Sequence, residues 1–470
     1  MTETRGRLTR AEPYLVAGLA IAYFVVYSVL SVLRHETYHS YGPDLGLFDQ
    51  IFWNTTQGRF FESTMSLGQP LPHSYLSDHF SPIYLLLMPF YALVPRPETL
   101  LILQTLFLAL GVWPLYLLAR LKLDPGFPRL AFVFAYFLFL PVAFINLFDF
   151  HELALSVLPL GFAIYFLERG RPGLFLVSLF STFLIKEELP LIGLGFGAYV
   201  LLEKRNWKLG LAVLAASAAA FFAVIRLIIP AFGGGSYAYF TSRYGQLGTS
   251  PQQIIGTILS NPRLLASTVL QSQKLKFLAG IFGPMLGLTA LAGWGVVLVL
   301  PTLGYLLLSN YRPQFAFSSH YSAPLVALVI GTSILGLARM TPSWQRPAAA
   351  AVLASSLIFA YLFGDLPFSR HFDPRMFEPE ARYAAFVANL DRIPATASVG
   401  AENNLTPHLS HRRLIYDMEF EGAQHADYLA LDDASLGRNP EALRQQIDGF
   451  LAQGYREIAS GDGLALLQRP

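Results

Sequence analysis

The chain has 470 residues, 54% hydrophobic and 14% charged, with a mean hydropathy of +0.45. Soluble domains carry about 25% charged residues, so the composition excludes an ordinary soluble protein and indicates a polytopic α-helical membrane protein. The net charge of +2 leaves no nucleic-acid footprint. The absence of cysteine excludes disulfides, thiolate metal sites and cysteine nucleophiles.

The N-terminus is basic, with Arg5, Arg7 and Arg10. The apolar run at 14–33 follows, about twenty residues and enough for roughly 30 Å of hydrocarbon. A cleaved signal peptide has a shorter apolar core and a small-residue cleavage site, whereas this run ends in Ser31-Val32-Leu33-Arg34. It is read as a retained first helix, so 1–33 forms a cytoplasmic N-terminus and first span. Residues 34–80 then form a large external loop, polar and aromatic, holding Asp44, Asp49, Glu62, Asp78 and four histidines. A loop of that size, with carboxylates straight after the first helix, points to chemistry at the membrane surface.

Further apolar runs near 81–95, 99–119, 130–148, 152–168, 173–185, 189–202, 208–231, 275–290, 292–309, 321–338 and 347–364 bring the total to about 11–13 spans, several shorter than usual. Lys186-Glu187-Glu188 and Pro190 interrupt 173–202, as a hairpin of two short helices or one broken helix. Basic residues at 120–129 and 203–208 mark cytoplasmic loops. The core is 81–364, with a second external loop near 232–274. Residues 365–470 read as a soluble α/β domain, with strands at 397–401, 413–416 and 426–431. An amphipathic helix at 440–453 follows, then a hairpin around Gly461-Asp462-Gly463.

Asp44 and Asp49 are the catalytic candidates. A carboxylate at the interface can take a proton from a sugar hydroxyl or hold a divalent cation beside a phosphate. The alternative is that Asp44 only caps a juxtamembrane helix. His79, at the mouth of the second run, is a base, a ligand or an interfacial residue. Asp149, His151 and Glu152 crowd a tight junction, either as ligands of a cation such as Mg or Mn or as a polar turn. Lys186 and Glu187 lie deep in apolar sequence, where ionisable groups usually face a cavity or a partner. Lys186 suits the counter-charge of a lipid phosphate. Arg243 and Tyr244 follow a glycine- and tyrosine-rich approach, and arginine suits phosphate. His320 opens a further run. No phosphate-binding P-loop, HExxH, GxSxG or dinucleotide GxGxxG pattern occurs, which argues against ATP-driven transport and soluble-type hydrolysis.

The segments YGPDLGLFDQIFWNTTQGRFFEST, DHFSPIYLLLMPFYALVPRPETLLILQT, FDFHE, KEELPL, SRYGQLG, SHYSAPL and SVGAENNLTPHLSHRRLIY resemble the predicted membrane proteins of domain-of-unknown-function 2079. That family is similar to the GT-C superfamily of glycosyltransferases. The resemblance implies a multi-pass plasma-membrane protein with a cytoplasmic N-terminus. Its first loop and C-terminal domain would be external, and its donor a polyprenyl-phosphate-linked sugar in a membrane lipid setting. It puts Asp44 at the acidic catalytic position, Asp49 second, and Lys186 where relatives carry lysine. The acceptor, a glycan, lipid or protein, is not implied. The rival functions are a transporter or lipid flippase, and a non-catalytic envelope scaffold.

Overall fold

A computed structural model of the chain describes residues 2–65, 72–233, 237, 239–420 and 422–470, with side chains from residue 10 onward. The first helix, Thr2–Glu36, is followed by the loop, and the runs expected to span are helical. Among the described residues six stretches, fewer than the 11–13 spans expected, are long and apolar enough to cross a membrane: Arg10–Glu36, Pro97–Lys122, Phe127–Phe148, Trp207–Gly233, His320–Ala338 and Pro342–Phe363. Tyr84–Leu93, Pro172–Thr182, Pro190–Leu202 and Gly293–Leu308 are shorter apolar helices. The 173–202 stretch is therefore two short helices, with Lys186-Glu187-Glu188 in the break between them.

Ala323–Ala338 is the central helix, with all but its last residue buried. It is apolar on every side, as a helix enclosed by others must be. Small residues let neighbours approach closely: a side chain at Gly336 would strike the Leu288 carbonyl. Thr289 Oγ1 hydrogen-bonds Thr332 Oγ1 at 3.0 Å, which satisfies two hydroxyls inside the bundle. The Phe127–Phe148 span breaks at Leu138-Phe139, just before Pro141. Proline has no N–H to continue the helical ladder.

The bundle has two distinct polar ends. At one, Glu168 pairs with Lys122 and Lys204, and Glu12 with Arg129 at 3.4 Å. This gathers the two basic clusters read from the sequence beside the start of the first helix. At the other end lie Arg34, Asp149, Lys186 and the first loop, about 33 Å along the first helix from Glu12 at 1.5 Å per residue.

The C-terminal residues form a five-stranded sheet in the order Ile415–Asp417, Val399–Ala401, Tyr428–Asp432, Leu464–Gln468, Arg456–Gly461. The first three strands are parallel and the last two antiparallel. Helix Pro440–Ala452 packs Leu443, Ile447 and Phe450 against one face, while Ala381–Leu390 packs Tyr383, Phe386 and Leu390 against the other. This sheet domain sits on the first loop. Gly42 N donates to Asn403 Oδ1 at 2.7 Å, Gln50 Nε2 to the Arg413 carbonyl at 2.9 Å, and Thr64 Oγ1 to the Ile415 carbonyl.

Candidate functional site

A cavity of about 300 Å³ opens between the first loop, the helix ends and the C-terminal domain. Asp44 enters it from a π-helical turn, Gly42–Gly46, which leads into helix Leu47–Thr56. Gly42 is required there, because a β-carbon would collide with Asp417 and Thr406 of the sheet domain. Asp78, His79, His151, Lys186, Arg243, His320 and Tyr321 complete the polar wall, and Phe420 closes it from the sheet domain.

Each charged group is held by a hydrogen-bonded partner or by stacking. Asp44 Oδ1 lies 2.9 Å from His151 Nε2, and the His151 ring stacks on His320 with centroids 3.5 Å apart. Lys186 pairs with Glu152, whose other oxygen accepts from Tyr84 Oη at 2.9 Å. His79 Nδ1 is 2.6 Å from Glu187 Oε1, and Glu187 also accepts from Phe80 N and Tyr237 Oη. Asp78 is 3.0 Å from His73 Nε2.

Arg243 differs from Lys186. Among the described residues no carboxylate lies within ion-pair distance of it. Its guanidinium sits 4.4 Å from the Tyr239 ring centroid, 5.3 Å from Tyr321 and 5.6 Å from Tyr311, and it donates to Tyr321 Oη at 3.1 Å. Such a cage orients the cation without neutralising it. Arg243 and Tyr239 also line a second cavity of about 310 Å³, an apolar groove running past Ile254, Ile255, Ile258 and Phe221. Tyr244, expected beside Arg243, lines only that groove and donates to the Tyr305 carbonyl at 3.0 Å. Glu187 lines the groove too and meets the first cavity through His79.

Two expectations need correction. Asp49 does not reach the cavity. It is fully buried and accepts from Tyr91 Oη at 2.5 Å and Ser410 Oγ at 2.6 Å, with His411 Nε2 at 3.0 Å. The Ser410 and His411 contacts tie helix Leu47–Thr56 to the sheet domain, and Tyr91 ties it to helix Tyr84–Leu93. Nor do Asp149, His151 and Glu152 converge on one point. Asp149 pairs with Arg34 at 2.7 Å and accepts from Tyr41 N. The backbone at His151 is extended, so Glu152 turns to the opposite side, toward Lys186. Among the described residues no cluster of three or more His, Asp and Glu is arranged to hold a metal ion. The glycine-rich approach to Arg243 at residues 234–236 lies outside the described residues.

Sequence reasoning missed Tyr239, Tyr311, Tyr321 and Phe420. Tyr239 carried a signal, since it precedes Arg243 by one helical turn. Tyr321 adjoins His320. Phe420 carried none, because it arrives from a separate domain.

The helical core, the loop over one end and the C-terminal sheet define a polytopic membrane protein with a GT-C-like fold. The chain belongs to the family of predicted membrane proteins designated DUF2079, whose model matches residues 34–466. No curated protein matches it in sequence. Its fold is similar to that of ArnT from Cupriavidus metallidurans, solved bound to undecaprenyl phosphate. That match has 13% identity and a TM-score of 0.56, and it covers 97% of this chain and 98% of that one. The Archaeoglobus fulgidus oligosaccharyltransferase in its apo form aligns at 14% identity with a TM-score of 0.41, over 84% of this chain and 64% of that one.

Proposed function

We propose that the chain is a membrane glycosyltransferase that moves a sugar from a polyprenyl-phosphate donor to an acceptor hydroxyl at the outer face of the plasma membrane. Arg243 carries the reading. Among the described residues it has no ion-pair partner, and it stands at a wall shared by a polar cavity and an apolar groove. A lipid phosphate has that division of chemistry, with a chain for the groove, a phosphate for the arginine and a sugar for the cavity. The undecaprenyl phosphate in the ArnT structure is a ligand of this class.

The acceptor oxygen attacks the anomeric carbon and passes its proton to Asp44, which His151 orients. The bond from that carbon to the phosphate oxygen breaks, and polyprenyl phosphate leaves as an anion. Arg243 and Lys186 stabilise the charge developing on it. Asp44 and Asp78 are the carboxylates facing the cavity, and each already has an imidazole partner. With two cations in the wall, transfer proceeds in EDTA without added Mg or Mn.

The test is turnover by purified protein in lipid nanodiscs, with radiolabelled polyprenyl-phosphate sugars and membrane extract as the source of glycan, lipid or protein acceptor. The expected result is label in a new product, lost in Asp44→Asn. Folded protein that neither binds nor turns over any donor would overturn the reading and favour a transporter or scaffold.

A further inference from the structure

A third cavity, of about 340 Å³, lies away from the reaction, where Tyr38 of the first loop meets the sheet domain at Asp391, Ala395, His408, His411 and Arg412. Its size is at the small end of ligand sites, roughly 300–1,000 Å³.

Arg412 is the informative residue. It is 7% exposed. Its Nε donates to the Leu409 carbonyl at 2.7 Å, and Nη1 makes long bonds of 3.4 Å to the Pro394 and Ala397 carbonyls. Among the described residues no carboxylate pairs with it and Nη2 has no hydrogen-bond partner. A buried cation without a counter-ion is costly, and burial pulls its pKa down to about 10. His408 stacks on His35 and Tyr38, with centroids 4.3 and 4.0 Å away, and its buried Nε2 has no partner. His411 is held by Asp49. Asp391 brings negative charge to the wall without pairing with Arg412.

We propose that this cavity binds a small molecule bearing a phosphate or carboxylate, with Arg412 Nη2 as its charged contact. Oxyanions satisfy a guanidinium by charge-assisted hydrogen bonds. Because Tyr38 belongs to the first loop and His411 holds Asp49, the occupant bridges the sheet domain and the loop that carries Asp44. The site is independent of the glycosyl-transfer reading.

The experiment is isothermal titration of the full chain in neutral-lipid nanodiscs with inorganic phosphate, a hexose 6-phosphate and the unphosphorylated hexose. Saturable binding of the two phosphates, and none of the hexose, is expected. A tighter hexose phosphate identifies a phosphorylated sugar as the occupant, and equal affinities identify free phosphate. Arg412→Gln should abolish binding. Because Arg412 also holds three carbonyls, two exposed rim positions supply variants that spare the fold. Ala395→Glu should weaken binding about tenfold and Asp391→Asn should tighten it by a similar factor, the effect of one charge at close range. Neither variant touches Arg243, so phosphate held there would be unaffected. No saturable phosphate binding, or the same affinity in all three variants, would overturn the proposal.

Discussion

His151 Nε2 lies 2.9 Å from Asp44 Oδ1, across the gap between the first loop and the end of a membrane helix. The pair joins a residue from each of two elements far apart in sequence, and the His320 ring backs the imidazole. Asp44, which faces the cavity as Asp78 also does, is thereby held in one orientation. General bases contribute about 10²–10⁴ in rate. Asp44→Asn should lower kcat by about that factor with little change in donor KM. His151→Gln should lower kcat less, because it alters the base's partner and leaves the base in place. Rates over pH 5–9 check both. Full activity in Asp44→Asn would remove it from the chemistry.

Arg243 predicts a different kinetic signature. Its tyrosine cage fits a planar guanidinium, and lysine cannot reproduce that geometry. Both Arg243→Lys and Arg243→Gln should raise donor KM at least about tenfold, as expected for loss of a charge-assisted hydrogen bond. Binding of the lipid phosphate without its sugar should weaken in parallel. A change in kcat alone would place Arg243 away from the donor phosphate.

Asp49 should behave as a joint. It accepts from Tyr91 and Ser410 while fully buried, and leaving such donors unpaired costs about 1–3 kcal/mol each. Asp49→Asn should loosen the sheet domain from the first loop, seen as faster hydrogen exchange at 410–417 and a lower Tm. Residual activity per folded molecule should exceed that of Asp44→Asn. Equal loss of activity with unchanged exchange would refute the structural role.

The sheet strands were legible in sequence to within about two residues, because apolar alternation and the Gly461-Asp462-Gly463 turn are local signals. The site was legible in part for the same reason. Asp44, His79, Lys186, Arg243 and His320 stand out as ionisable residues at the edges of apolar runs. Carboxylate chemistry alone misled at Asp49, since five residues along an α-helix turn about 500°, which sets the two aspartates about 140° apart. The Arg243 cage was illegible because Tyr311 and Tyr321 come from another part of the chain. Tertiary packing alone brings them together.

The absence of cysteine makes topology directly measurable. Gln445 is exposed on helix Pro440–Ala452 and Trp207 at the start of Trp207–Ala223, near the basic clusters. Lys and Arg favour the cytoplasmic side, so the sheet domain should face outward. In intact cells a membrane-impermeant maleimide should label Gln445→Cys but leave Trp207→Cys unlabelled until the membrane is opened. The reverse pattern would invert the proposed orientation.

Asp417 gives the docked sheet domain a pH dependence. It is fully buried beside Gly42, and burial raises its pKa from 3.8 to about 7. Glu419 and Glu402 push it the same way, while the Glu419 amide and Thr406 oppose the rise. Below about pH 4 the folded and unfolded chains both hold the proton. Between about 4 and 7 the folded chain keeps it and the unfolded chain releases it, so stability falls as pH rises through that window and is level above it. A tenfold difference in proton affinity between the two states is worth about 1.4 kcal/mol. His408 works in the other direction. Burial lowers its pKa from 6.5 to about 4, so the unfolded chain takes up a proton first and stability falls as pH drops from about 6.5 to 4. In Asp417→Asn the Asp417 contribution is removed and the His408 effect remains. The variant should therefore be more stable than the parent at pH 8, and its advantage should shrink toward pH 5. Hydrogen exchange of the sheet amides at pH 5, 6.5 and 8, corrected for intrinsic rates, measures this. An advantage that is constant across pH would mean that Asp417 does not titrate with folding.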